Sequence, residues 1–283
     1  MTTATLDVAT RRLTPRRRPA GGATLTAGSS LGLGIAVTWF SLLVLIPLTA
    51  IVVTSAERGW SGYVDTITNP QTMAAVRLTV GQSLLVTAIN VVMGTLIAWV
   101  LVRDRFWGKA VLDVVIDVPF ALPTIVAGLV LLGLYGSNSP LGLDWAYTER
   151  AVMLALAFVT LPFVVRTVQP VLGELEPDVE EAAASLGATK LTIFRRIVLP
   201  GLTPAIAAGA ALSFARAIAE YGSLVLLSGN KPFETEVVSV RVLSFIENGS
   251  TASAAAVASL MLAVALAVIV VLDVVQRRVS RRG

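Results

Sequence analysis

Read for its runs of apolar residues, the chain shows six stretches long enough to cross a bilayer core, which takes about 20 residues of helix. They lie near 31–54, 80–102, 111–135, 151–172, 202–227 and 252–273. The first, second and last carry no charge across their centres, and the pattern predicts uninterrupted helices there. The third opens with Asp113 and Asp117 and then meets Pro119 and Pro123, so a kinked helix is expected, because a proline ring displaces a backbone hydrogen bond. The fourth and fifth contain Arg166, Arg216 and Glu220.

One connection differs from the others. From Gly173 to Gly201 the chain reads GELEPDVEEAAASLGATKLTIFRRIVLPG, which is organised helical chemistry. Pro177 suits a first helical turn, Asp178, Glu180 and Glu181 suit the positive end of a helix dipole, and Gly187 is placed to end the helix. Val179, Ala182, Ala183 and Leu186 then share one small-residue face. A second helix is expected from Thr189 to Leu199, with Leu191, Phe194, Ile197 and Val198 on one side and Leu199-Pro200 as its stop. The pair predicts a rigid elbow that another protein could approach. The plainer alternative is an amphipathic helix lying in the membrane interface.

Composition agrees with the pattern. With 55% hydrophobic and 14% charged residues in 283, and a mean hydropathy of +0.80, the chain has too little polar surface to clothe a soluble globule. It has no cysteine and no histidine, which closes thiol, imidazole and the usual zinc chemistries. Charge then sets the expected topology. Fifteen of the 22 Lys and Arg residues fall on one side if the segments 11–18, 103–109, 190–196 and 277–282 are cytoplasmic, and only Arg58, Arg77, Arg150, Lys231 and Arg241 fall outside. Both termini are therefore expected in the cytoplasm. The basic run at Arg11–Arg18 precedes an uncharged stretch too long for a secretory signal, so the expected organisation is a basic tail over 1–30, one six-span domain over 31–275 containing the loop 173–201, and a second basic tail over 276–283. The surplus of positive charge is read as topology and lipid proximity, not as a nucleic-acid surface.

Inside the spans, Arg216 and Glu220 stand four apart on one helical face. They could neutralise each other as a structural pair, or they could gate a cavity and free Arg216 for an anion when the pore opens. Arg166, Asp113 and Asp117 are expected to anchor at the interface, with Arg166 reaching for headgroups. Asn90 and Gln169 suit inter-helix hydrogen bonds, and Pro162 and Pro170 suit kinks. The sequon at Asn248 is read as chance. No G-x-x-x-x-G-K-[ST] phosphate loop is present, so any ATP must be hydrolysed elsewhere.

The spacing of Glu181-Ala182-Ala183, then Gly187, then Ile197-x-Leu199-Pro200 resembles the EAA loop of the permease subunits of bacterial ABC importers. That resemblance implies that the loop is a coupling helix seated on an ATPase subunit. The stretches Ala98–Gly136 and Ser213–Glu236 are similar to sulfate/thiosulfate permeases of the CysT type. Molybdate permeases share the core of Phe214, Ala215, Arg216, Glu220, Tyr221 and Gly222, and Ala219 stands where such proteins often have Gly. The resemblance implies an all-α membrane permease with no catalytic residues, cofactor or metal of its own. It also implies a second permease arranged about a pseudo-two-fold, two ATPase subunits and an extracytoplasmic sulfate-binding protein. An ion-coupled secondary transporter is the alternative from another class.

Overall fold

A computed structural model describes residues 27–280; residues 1–26 and 281–283 of the expected tails lie outside them, and 276–280 of the second expected tail continue the last helix. Among the described residues all regular structure is helical. The helices are α1 (Ser29–Ser55), α2 (Gly59–Thr68), α3 (Pro70–Arg103), α4 (Lys109–Ala121), α5 (Thr124–Tyr135), α6 (Glu149–Glu174), α7 (Pro177–Ser185), α8 (Lys190–Ile218), α9 (Gly222–Leu227), α10 (Val238–Glu247) and α11 (Thr251–Ser280). Five of them are long and apolar enough to cross a membrane, and six crossings result if the bent pair α4 and α5 counts as one.

The chain divides within α1, at Thr49, into two units. The described part of the first is the start of α1, whose Leu31, Ile35, Trp39 and Leu43 are all exposed, a surface suited to lipid or to another chain. The second unit is built on α3, α6 and α8, which pack along one another, with α11 against α8 and α10. Its core has two layers. Near the 173–201 loop, Ala98, Leu101, Ile116, Val165, Leu172 and Leu202 form one cluster. Toward the other end Val86, Leu131, Val152, Leu156, Leu224 and Leu227 form the second.

These layers explain the third apolar stretch. The chain does not make the single kinked helix expected over 111–135. It makes two helices that bend by 115° at Leu122 and Pro123. A residue preceding proline is driven out of the helical region, and Leu122 is extended at φ −86°, ψ 133°. Ile116 of α4 nevertheless lies in the loop-side cluster and Leu131 of α5 in the opposite one, so the pair runs from one end of the core to the other.

Three further expectations need correction. The second stretch begins ten residues early, at Pro70, because Asn69 caps the helix with its Oδ1 accepting from the Gln71 and Thr72 amides at 3.0 and 3.3 Å. The helix thus has 34 residues and is about 50 Å long. The fifth stretch is not one helix over 202–227: it starts at Lys190, stops at Ile218, and resumes as α9 after Ala219–Tyr221. Leu199-Pro200 therefore does not stop the elbow's second helix, which runs straight into the core.

A π turn at Phe194–Val198 lets it do so. The Leu199 amide bonds the Phe194 carbonyl five residues back, and the wide turn accommodates Pro200, which has no N–H to place. The same device recurs in α1, where a π turn at Ser41–Leu45 precedes Pro47 and the Ile46 amide bonds the Ser41 carbonyl. Pro162 and Pro170 leave α6 uninterrupted.

Candidate functional site

The elbow forms where α6 ends at Glu174. Leu175 and Glu176 are extended, Pro177 occupies the first turn of α7, and Asp178 and Glu180 lie at its positive end. The C-terminus closes as the sequence predicts. The Ala188 amide bonds the Ala183 carbonyl at 3.0 Å and the Gly187 amide the Ala184 carbonyl at 2.9 Å, the bond pattern of a Schellman cap. It requires a left-handed residue, and Gly187 supplies it at φ +85°.

No residue of α7 is buried. Glu181 and Ala182 face outward, Val179 is exposed, and Leu186 is 90% exposed, while Ala183 turns inward against the loop-side cluster. The expected face is thus split: three of its four residues point away from the body and one rests on it. Beyond Thr189, whose hydroxyl accepts from the Thr192 amide at 3.3 Å, the predicted side also shifts. Ile193 and Val198 are buried, Phe194 and Ile197 are half-buried, and Leu191 is exposed, because the π turn rotates the helix surface. Leu199 and Pro200 are exposed. One contact was absent from the sequence reading: Arg103, the last residue of α3, pairs with Glu180 of α7. Its signal is a basic residue closing one helix and an acidic residue opening another.

Arg166 does not reach for headgroups. Its Nε and Nη2 donate to the two carboxylate oxygens of Asp117, each at 2.7 Å, and its Nη1 donates to Asp113 and Gln169, also at 2.7 Å. Nη2 also donates to the Asp113 carbonyl at 2.6 Å. The guanidinium thereby clamps α4 to α6. Two carboxylates one turn apart on α4 lie within its reach, and Asp117 presents both oxygens to the guanidinium as a planar bidentate acceptor. Asn90 takes an inter-helix role as expected, its Nδ2 donating to Thr160 at 2.8 Å.

Arg216 and Glu220 do form a pair, at 2.6 Å. The carboxylate's other oxygen accepts from both the amide and the hydroxyl of Ser223 at 2.8 Å, and the Glu220 carbonyl accepts from Ser239 at 2.8 Å. With 1% of its side chain exposed, Glu220 is a buried charge held by a guanidinium and two hydrogen bonds, and its geometry serves the restart of the chain at α9. Arg216 is 29% exposed. Beside it, a Cβ on Gly222 would stand 2.1 Å from the Thr124 hydroxyl and 2.9 Å from the Ile125 amide, and one on Gly128 would stand 2.6 Å from the Ser223 carbonyl. The two helix breaks, α4 to α5 and α8 to α9, therefore abut. Among the described residues no group of three or more His, Cys, Asp or Glu side chains is arranged to hold a metal ion.

The long apolar helices make this a chain that can cross a membrane several times. Residues 90–282 match the family described as binding-protein-dependent transport system inner membrane component, and the chain belongs to that family. It is 42% identical over 262 residues to the sulfate transport system permease protein CysT of Salmonella typhimurium, covering 90% of this chain and 95% of that one. In fold it is similar to a chain of a bacterial ABC transporter involved in the import of the acidic polysaccharide alginate, with a TM-score of 0.73, 17% identity, and coverage of 88% of this chain and 94% of that one. A structure of the bacterial alginate transporter in complex with an alginate-pentasaccharide-bound periplasmic protein is also similar, with a TM-score of 0.70, 18% identity, and coverage of 89% and 94%. The chain is an ABC importer permease, a transport component and not an enzyme.

Proposed function

We propose that this permease carries sulfate into the cytoplasm by alternating access, driven by ATP hydrolysis on separate subunits docked at α7. The observation that carries the substrate is the 42% identity to a sulfate permease along nearly the whole of both chains. The observation that carries the docking is α7 itself, a helix opened by Pro177 and closed by the Gly187 cap with none of its residues buried, which leaves Glu181, Ala182 and Leu186 to a partner. Gly187, Ile197, Leu199 and Pro200 fix the elbow's shape and its join to α8.

The assembly contains two ATPase subunits, a second and similar permease about a pseudo-two-fold, and an extracytoplasmic sulfate-binding protein. Charge distribution and the end-to-end run of α4 and α5 support six crossings with both termini and α7 in the cytoplasm. The chain binds no cofactor of its own. Arg216, half freed beside the breaks, is the side chain placed to meet an anion when they part. Removal of the gene from its host is the test. A strain that loses growth on sulfate as sole sulfur source, and regains it with the gene restored, bears the reading out. Undiminished sulfate uptake, with loss of molybdoenzyme activity instead, would replace it by a molybdate permease.

A further inference from the structure

The coupling helix touches its own chain so sparingly that each contact counts. It is joined covalently to α6 through Leu175 and Glu176, and to α8 through Gly187, Ala188 and Thr189. Both joins are short and non-helical, and the second is held by the two backbone bonds of the Gly187 cap. Ala183 rests on the loop-side cluster without being buried. Its charged link to the core, among the described residues, is the ion pair between Glu180 and Arg103.

That pair belongs to a stack that crosses three helices. The Arg103 guanidinium lies 5.7 Å over the Trp99 ring on the same helix, α3. Trp99 meets the edge of Phe194, the first residue of the π turn in α8, at 5.7 Å between ring centres. Phe194, Trp99, Arg103 and Glu180 thus run from α8 across α3 to α7. Arg103 and Glu180 are 22% and 23% exposed, well shielded for a pair at the end of a helix. An arginine held on an aromatic face has fewer rotamers to lose on pairing, which favours a fixed geometry over a fluctuating one.

We infer that Arg103 is a positioning residue for energy coupling: by holding Glu180 it bolts the coupling helix to α3, so that a displacement of α7 moves all three core helices together. α6 and α8 are already joined to α7 through the chain, and α3 is the core helix that the chain leaves unattached. Without the bolt, α7 would still dock on the ATPase but would not pass its displacement directly to α3. The inference rests on the proposed docking role of α7.

The test uses the complete transporter in proteoliposomes, with three variants: Arg103→Glu, Glu180→Arg and the two combined. Co-purified ATPase, ATP hydrolysis stimulated by the loaded binding protein, and sulfate uptake per ATP are read for each. The single variants keep the ATPase but lose at least about fivefold in uptake per ATP, the lower end of an ordinary coupling free energy. The exchanged pair recovers a clear part of the loss, since it restores the attraction with its sign reversed while giving up the cation over Trp99. Normal coupling in the singles, or an exchanged pair as poor as either single, overturns the bolt. If a reversed charge prevents assembly, Arg103→Gln combined with Glu180→Gln removes the bolt without leaving a charge unpaired, and the same loss is expected. Gly187→Ile separates the two claims. Unaltered ATPase retention and coupling in that variant would sink the docking role itself, whereas failure confined to the Arg103 and Glu180 variants to behave as stated sinks only the bolt.

Discussion

A carboxylate that is almost wholly buried needs every lone pair accounted for, and Glu220 meets that need with Arg216 on one oxygen and Ser223 twice on the other. Removing one partner leaves the other charge exposed to a low dielectric. Arg216→Gln strands the buried Glu220 carboxylate and is therefore expected to destabilise the folded permease by about 3–5 kcal/mol, the range for a broken buried pair. Glu220→Ala strands only the partly exposed Arg216 and should cost less in stability, while Arg216→Gln should also cost transport. Denaturant titration of the purified protein beside sulfate uptake would check both, and a stable but transport-competent Arg216→Gln would remove Arg216 from the anion's route. Arg166 makes the opposite case. Its loss leaves Asp113 and Asp117 facing each other without a cation, so Arg166→Gln should be partly rescued by Asp117→Asn, which relieves the repulsion but not the lost clamp. Spacing alone could suggest the Arg216 pair, because residues four apart on a helix are neighbours. The Arg166 clamp could not be read that way, because its acceptors lie on another helix 49 and 53 residues away.

At the scale of elements, the feature that tolerates least change is the contact between the two helix breaks. Gly222→Val would drive its side chain into the Thr124 hydroxyl and the Ile125 backbone. Overpacking ordinarily costs about 1–3 kcal/mol, and a clash with backbone lies at or beyond the upper end. Thr124→Ala should rescue it only in part, since the Ile125 amide remains; thermal unfolding of the single and double variants in detergent measures the difference. The elbow is constrained differently. Gly187 has open space around it, so Gly187→Ala is opposed only by its left-handed backbone, at about 1–2 kcal/mol, and should weaken the elbow without disturbing the core. Both ends of α7 were legible in the chain because caps are local chemistry: Pro177, Glu180 and Gly187 act through their own neighbours. The continuity of α8 through Leu199-Pro200 was not legible. Proline normally marks an end, and the π turn that accommodates it has no residue signature comparable to a glycine or a cap.

For the whole molecule, the six apolar stretches and the elbow between the fourth and fifth followed from hydropathy and charge, which are properties of long windows. The break at Leu122 has a local cause in Pro123, but the contact that sets it against the break at Glu220 joins residues more than 90 apart, and no window contains that contact. The topology that joins them can be tested because the chain has no cysteine. Single cysteines at Ser137, between α5 and α6, and at Ser185, at the end of α7, should react with an impermeant maleimide from opposite faces of the membrane. Labelling from the same face would mean that α4 and α5 fold back to the side they left. The π turn in α8 has a separate consequence for the assembly. It adds one residue to a helix that otherwise turns by about 100° per residue, so it sets the compass bearing of the elbow independently of the bearing at which α8 meets α3 and α6. A lineage of such transporters could re-aim the elbow at a different ATPase by gaining or losing that one residue, and leave the route for the anion as it was.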